Sequence, residues 1–229
     1  MNNPETPELF FIGIGGTAMA SAALLMKELG YSVSGSDENI YPPMSNVLQN
    51  ANIDYVESYD SSHLPKKDVL FVIGNAVSRG NPQVEKILSE KRKFTSLPEL
   101  LRNEIFLSSP RKTSLVVTGT HGKTTTTSLC AHLLHSAGYD AGWLIGGKPN
   151  NLPSSGKAGK DIFVIEGDEY DSAFFDKRSK FVHYLPDILI INNIEFDHAD
   201  IFRDLQDILR SFRQVVRLVP KEGFILVNG

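Results

Sequence analysis

The stretch Thr118-Gly-Thr-His-Gly-Lys-Thr-Thr-Thr126 constrains this chain more than any other. Ser114 to Thr118, just ahead of it, is a β-branched and apolar run that reads as a buried strand. Thr125 to Ala137 has the spacing of a helix closed by Gly138. Strand, glycine-bearing loop, Lys-Thr and helix is the order a phosphate-binding loop requires. Glycines let backbone N–H groups approach an anion, and a helix N-terminus adds unpaired donors. Lys123 supplies a point charge and the Thr124 hydroxyl suits Mg2+. The long pattern G-x-x-x-x-G-K-[ST] is not met, because Val117 stands five places before Gly122. An ordinary glycine turn before a Thr-capped helix is the plain alternative.

Two more strands end in acids. Asp161 to Ile165 runs into Glu166-Gly-Asp168-Glu169-Tyr-Asp171, and Asp187 to Ile191 runs into Asn192-Asn193-Ile-Glu195-Phe-Asp197-His198-Ala-Asp200. In open α/β sheets ligands sit at the carboxyl ends of strands. Four acids within six residues repel one another unless a cation offsets them, and a nucleotide-bound divalent ion does so. Two solvated polar loops are the alternative. His198, between Asp197 and Asp200, is a candidate metal ligand, whereas His63, His132, His135 and His183 have no such context. Phe174-Phe-Asp-Lys177-Arg178-Ser-Lys180 is either a charged turn or an anion clamp.

The first part of the chain carries its own signature. Glu8 to Ile14 reads as a strand, followed by Gly13-Ile-Gly15-Gly16-Thr17-Ala18, a helix from Met19 to Leu29, and a strand from Tyr31 to Ser36 ending at Asp37. That meets the dinucleotide fingerprint G-x-G-x-x-[GA] with an acid about 20 residues on. Further strands are expected at 54–57, 68–73 and 94–96, with helices at 46–51, 81–91 and 97–103. Lys148 to Lys160 reads as a loop, Asp204 to Val219 as an amphipathic helix, and Gly223 to Val227 as a last strand. The polar, Pro-bearing Ser108-Ser-Pro-Arg-Lys112 marks a boundary, giving domains 1–108 and 109–229. The expected fold class is α/β: a Rossmann-like first domain, then a P-loop-type ATPase domain with a mostly parallel sheet.

Composition excludes some classes. With 41% hydrophobic and 22% charged residues, the 229-residue chain is globular rather than disordered. Net charge −4 argues against a nucleic-acid-binding surface. The single cysteine, Cys130, rules out an intrachain disulfide and falls within the predicted helix. Leu9 to Met26 has no charge, but no Lys or Arg precedes it and its glycines cluster at a turn, so neither a signal peptide nor a membrane span is expected. The cytoplasm is the default location.

Taken together, these residues resemble the Mur ligase family. Thr-Gly-Thr-His-Gly-Lys-Thr-Thr-Thr, Glu-Gly-Asp-Glu-Tyr-Asp and Asn-Ile-Glu-Phe-Asp-His-Ala-Asp match its three central-domain signatures in order. Gly13-Ile-Gly-Gly16-Thr-Ala-Met19 and Gly35-Ser-Asp37 look like the UDP-sugar-binding domain of its UDP-N-acetylmuramate branch. Tyr41-Pro-Pro-Met-Ser45, Asn81-Pro82 and Phe174 to His183 are similar to members whose acceptor is the murein tripeptide L-Ala-γ-D-Glu-meso-diaminopimelate.

The resemblance implies an ATP-dependent ligase that activates the lactyl carboxylate of UDP-N-acetylmuramate as an acyl phosphate, which the tripeptide amine attacks. It implies ATP bound by Gly119, Thr120, His121, Gly122, Lys123, Thr124, Thr125 and Asn193. Mg2+ would be held by Thr124, Glu166 and His198, with Lys123, Glu166 and His198 as the catalytic set and Asp197 positioning. Gly13, Gly15, Gly16, Thr17, Asp37, Asn75, Lys177 and Arg178 would bind substrate. Family members carry a third, C-terminal domain. The expectation is that this chain, as a fragment, a truncated gene product or one half of a split enzyme, lacks it and is inactive alone, with a separate C-terminal ligase domain as a candidate partner. Three readings stay open beside this one: an L-alanine-adding ligase of the same family, a non-catalytic UDP-sugar-binding module, and a nicotinamide-dependent dehydrogenase built on Gly13 to Asp37.

Overall fold

The protein's structure, a computed structural model, describes residues 7–147, 149–195 and 204–228. It is mixed α/β with mostly parallel sheets, in two compact units. One holds the chain up to Leu100 together with Ala173–Asp176. The other holds Leu101–Ser172 and the chain from Lys177 onward.

In the first unit a five-stranded sheet has the order β3-β2-β1-β4-β5. Its strands are β1 (Glu8–Ile12), β2 (Ser32–Ser36), β3 (Asp54–Val56), β4 (Leu70–Ile73) and β5 (Phe94–Ser96), all parallel. β1 is central, covered on both faces, and reads as an unbroken apolar run, with Phe11 and Ile12 fully buried. Helix α1 (Thr17–Glu28) packs close because Ala20, Ala22 and Ala23 add almost no bulk. Helices α2 (Met44–Asn50), α3 (Pro82–Ser89) and α4 (Leu97–Leu101) complete the unit. α3 starts as its sequence dictates: Pro82 stands in the first turn, and Asn81 Oδ1 accepts from the Gln83 and Val84 N–H groups at 3.0 and 3.2 Å. Strand order reverses between β1 and β4, so a crevice opens at their carboxyl ends.

The second unit carries a six-stranded sheet of order β13-β12-β6-β9-β7-β8. Its main strands are β6 (Thr113–Thr118), β7 (Ala141–Leu144), β9 (Ile162–Glu166), β12 (Ile188–Ile191) and β13 (Phe224–Val227). β8 (Gly156–Lys157) lies antiparallel on β7, inside a stretch expected to be loop only. Helix α5 (Lys123–Ser136) follows β6 and α6 (Leu205–Val216) precedes β13. The core gathers Val117, Ala131, Trp143, Ile145 and Val164. Trp143 is fully buried, and its indole N–H reaches the Ser154 carbonyl at 2.9 Å, which meets its one polar need. α6 is capped by Asp204, whose carboxylate accepts from Asp207 N–H at 2.9 Å, and it buries Ile208, Phe212 and Val215.

Several boundaries move for physical reasons. α5 begins at Lys123 rather than Thr125, because Gly122 adopts left-handed φ +77 and lets the chain enter the helix at once. α4 runs into a single wide turn over Arg102–Phe106. The stretch read as either a charged turn or an anion clamp folds as a two-stranded hairpin of β10 (Asp171–Ala173) and β11 (Asp176–Ser179). Its tip belongs to the first unit, where Phe175 meets the Phe94 ring edge-on at 5.0 Å.

Candidate functional site

The β6–α5 loop sits at the middle of the second sheet, and neighbouring strand ends hold it in shape. From the end of β12, Asn193 Oδ1 accepts from the His121 N–H at 2.8 Å and its carbonyl accepts from Thr120 N–H at 3.1 Å. Asn192 Nδ2 donates to Thr126 Oγ1 at 3.1 Å and the His121 carbonyl at 3.3 Å. Thr120, nearly buried, exchanges hydrogen bonds with the Glu195 backbone at 2.9 and 3.2 Å. These contacts occupy Thr120, His121 and Asn193 with the loop's own shape. The N-cap of α5 is Gly122, which has no side chain to cap the helix, so the first turn over Lys123, Thr124 and Thr125 presents an anion-attracting end.

The acids arrive on β9. Glu166 Oε2 accepts from Thr124 Oγ1 at 2.7 Å, and Glu166 Oε1 accepts from the Gly146 N–H at the end of β7. One carboxylate thus ties two strand ends to the first turn of α5 and sets a carboxylate oxygen beside a hydroxyl. That donor chemistry fits a hard divalent cation, and Mg2+ characteristically takes one or two protein oxygens and completes its shell with phosphate and water. Among the described residues no group of three or more His, Cys, Asp or Glu is arranged to hold a metal. His198, with Asp197 and Asp200, lies outside the described residues.

Lys123 is engaged by its own unit. Its ammonium donates to Glu169 Oε2 at 3.0 Å and Oε1 at 3.3 Å, and to the Gly119 and Thr120 carbonyls at 2.7 and 3.3 Å. The sequence reading placed Glu169 in the acid cluster and gave it no role. On the same loop Asp168 pairs with Lys180 at 2.7 Å. Tyr184, buried, has its phenol pushed up by that burial, with the Asp168 and Glu166 charges adding to it. Lys177 pairs with Asp171 at 2.8 Å across the hairpin, and the Arg178 carbonyl accepts from Ser172 Oγ at 2.8 Å. Neither Lys177 nor Arg178 is brought to the phosphate loop by any of these contacts.

In the first unit a cleft of about 480 Å³ lies at the strand-order reversal, lined by Gly13, Gly16, Thr17, Asp37, Asn75 and Arg79 among others. A second, of about 370 Å³, flanks the same glycine turn and takes in Gly15. Asp37 stands between them. Its Oδ2 accepts from Gly15 N–H at 2.7 Å, and its Oδ1 accepts from Glu38 N–H and the Tyr59 hydroxyl, each at 2.7 Å. A Cβ on Gly15 would lie 2.9 Å from Asp37 Oδ2, so this approach needs glycine. Burial and then Asp37 itself push the Tyr59 phenol well above the ordinary tyrosine value. Arg79 at the rim is forked onto Glu85 at 2.8 and 3.0 Å. Tyr59 and Arg79 went unnoticed in the sequence, since neither belongs to a motif.

The profile described as "Mur ligase family, catalytic domain" matches residues 8–105, and "Mur ligase middle domain" matches residues 117–229. A solved UDP-N-acetylmuramate:L-alanyl-gamma-D-glutamyl-meso-diaminopimelate ligase from Neisseria meningitides is 46% identical, with TM-score 0.92, over 98% of this chain and 72% of that one. The chain belongs to the Mur ligase family. Among Mur ligases, the Escherichia coli K12 protein named UDP-N-acetylmuramate--L-alanyl-gamma-D-glutamyl-meso-2,6-diaminoheptandioate ligase is 48% identical over 95% of this chain and 47% of its own length. A UDP-N-acetylmuramate--L-alanine ligase from Lactobacillus helveticus is 35% identical over 96% of this chain and 47% of its own. This Mur ligase chain therefore spans about half the length of the curated relatives it matches. No helix among its described residues is long and apolar enough to cross a membrane.

Proposed function

We propose that this chain carries the UDP-N-acetylmuramate and ATP sites of a ligase that joins the murein tripeptide to UDP-N-acetylmuramate in the cytoplasm. The observation that carries the reading is the Thr124–Glu166 pair beside Lys123 at the N-terminus of α5. Two hard oxygen donors and a cation there suit a nucleoside triphosphate, which supports the reading. The functional domains are 1–108 and 109–229.

The γ-phosphoryl group of ATP passes to the lactyl carboxylate, releasing ADP and forming an acyl phosphate. The tripeptide amine then attacks the carbonyl, gives up a proton, and expels phosphate from the tetrahedral intermediate to leave the amide. Phosphoryl transfer asks the protein mainly for position and charge neutralisation. The first-turn N–H groups of α5 bind the phosphates, and Lys123 offsets charge on the β and γ groups. Gly119, Gly122 and Thr125 shape and line that cradle, while Thr120, His121 and Asn193 hold it. Thr124 and Glu166 would hold Mg2+, and His198 would be a ligand for a second ion. When bound, Mg2+ would supply charge neutralisation to the phosphates. Gly13, Gly16, Thr17 and Asn75 line the cleft that takes the UDP-sugar, and Asp37 fixes the turn at Gly15. Lys177 and Arg178 face the acceptor's carboxylates.

Preference for the tripeptide over L-alanine rests on likeness: 48% identity to a tripeptide-named relative against 35% to an L-alanine-named one. Acceptor competition on a full-length version, carrying a C-terminal ligase domain, tests it, since the chain alone is expected to be inactive. Product formed from tripeptide in preference to L-alanine supports the reading, and preferential L-alanine transfer replaces it with the second reading.

A further inference from the structure

We propose that Glu169 is the resident counter-ion of the phosphate loop: it holds Lys123 until an anion displaces it and sets how tightly that anion must bind to claim the lysine. The proposal rests on the reading of this loop as the nucleotide-phosphate site and adds a positioning residue to it. Glu169 lies on the loop after β9, and its side chain is 2% exposed against 16% for Lys123. A carboxylate and an ammonium this far out of water are stable only in company, because each alone carries a large desolvation penalty.

The lysine is fully committed. An ammonium has three N–H donors. Here three groups take them: the Gly119 carbonyl at 2.7 Å, the Thr120 carbonyl at 3.3 Å, and Glu169 at 3.0 Å. A phosphate arriving at Lys123 therefore takes a donor from one of these groups. Until then the Glu169 charge cancels the lysine charge, and the loop attracts anions less than its backbone N–H groups and its lysine would together. A ligand with many phosphate contacts wins that exchange, whereas a single phosphate group does not.

The predicted sign separates this from a merely structural role. Losing a structural buried residue loosens the loop and weakens ligand binding. Losing a competing counter-ion tightens it. Glu169→Gln is isosteric and keeps an oxygen acceptor for Lys123 while removing the charge.

The experiment is titration calorimetry of Mg2+-free ADP and of pyrophosphate into the whole chain. Wild type, Glu169→Gln, Lys123→Met and the double variant are compared. Glu169→Gln is expected to bind both anions about tenfold more tightly, the size of a modest close charge-pair coupling. In the Lys123→Met background the same change should have no effect, because Glu169 acts through the lysine. Unchanged or weaker binding by folded Glu169→Gln overturns the proposal, as does equal tightening without Lys123. Should Glu169→Gln not fold, Glu169→Asp, which draws the charge back by one methylene, decides by sign: tighter binding supports, equal or weaker binding overturns. Loss of ADP binding in Lys123→Met keeps the nucleotide reading whatever Glu169 does. ADP binding that ignores Lys123, or no binding by wild type, removes that reading and this proposal together.

Discussion

Thr124 Oγ1 donates to Glu166 Oε2 at 2.7 Å across 42 positions of sequence. The contact joins the first turn of α5 to the end of β9, and it sets both groups side by side at the proposed Mg2+–phosphate site. Glu166→Gln keeps the shape and removes the charge a hard cation needs. The Mg2+ concentration required for half-maximal ATP binding is expected to rise about tenfold or more, the range for disturbing a metal site. Calorimetry of ATP at graded Mg2+ reads this directly. An unchanged Mg2+ dependence would mean that Glu166 only ties strand ends together.

The glycine turn of the first unit makes a separate test. Gly15→Ala brings a Cβ to 2.9 Å from Asp37 Oδ2 and 3.0 Å from Ile40 Cγ1. The turn or Asp37 must shift, at a cost of about 1–3 kcal/mol. UDP-N-acetylmuramate affinity should fall about tenfold for every 1.4 kcal/mol of that cost realised in the bound state. ATP binding in the second unit should stay within experimental error. Full UDP-N-acetylmuramate affinity in Gly15→Ala would detach this turn from the UDP-sugar site.

Tyr59 and Tyr184 predict an alkaline limb of instability. Both phenols titrate above their ordinary value in the folded chain, chiefly through burial. A raised native pKa means that the folded chain keeps a proton which the unfolded chain gives up. Stability from these groups is thus complete below about pH 10 and is lost as pH climbs beyond it. Urea midpoints for wild type should fall above pH 10, and Tyr59→Phe and Tyr184→Phe should each flatten that fall. Parallel pH profiles for all three proteins would contradict the account. At neutral pH, Tyr59→Phe removes the 2.7 Å bond to Asp37 and should cost about 1.5–3 kcal/mol.

The strands and the ligand loops were legible because their causes are local. β1 and β6 are apolar runs bounded by glycine loops, and Asn81-Pro82 announces α3. Other features depend on partners far away in sequence. β8 is two residues long and exists only through pairing with Trp143 and Leu144. The hairpin of β10 and β11 is polar, so its alternation carries no apolar signal. At the candidate sites, motif residues were found and their partners were not. Asp37, expected to meet ligand, lines both clefts of the first unit, and its oxygens also accept from Gly15, Glu38 and Tyr59, partners the motif does not announce. Glu169 stood among four neighbouring acids, and only the fold shows that it is the one paired with Lys123.

The most direct test of the nucleotide site is the response of two ligands to Lys123→Ala in the chain as it stands. Removing the ammonium takes away a charge that the phosphates would meet, and leaves the cleft lined by Gly13, Gly16 and Asn75 untouched. Calorimetry with MgATP and with UDP-N-acetylmuramate should show ATP affinity down by roughly 100-fold, the loss of a strong charge-assisted contact. UDP-N-acetylmuramate affinity should be unchanged. MgATP binding by Lys123→Ala at wild-type strength would contradict the account, reducing the β6–α5 loop to a turn between a strand and a helix.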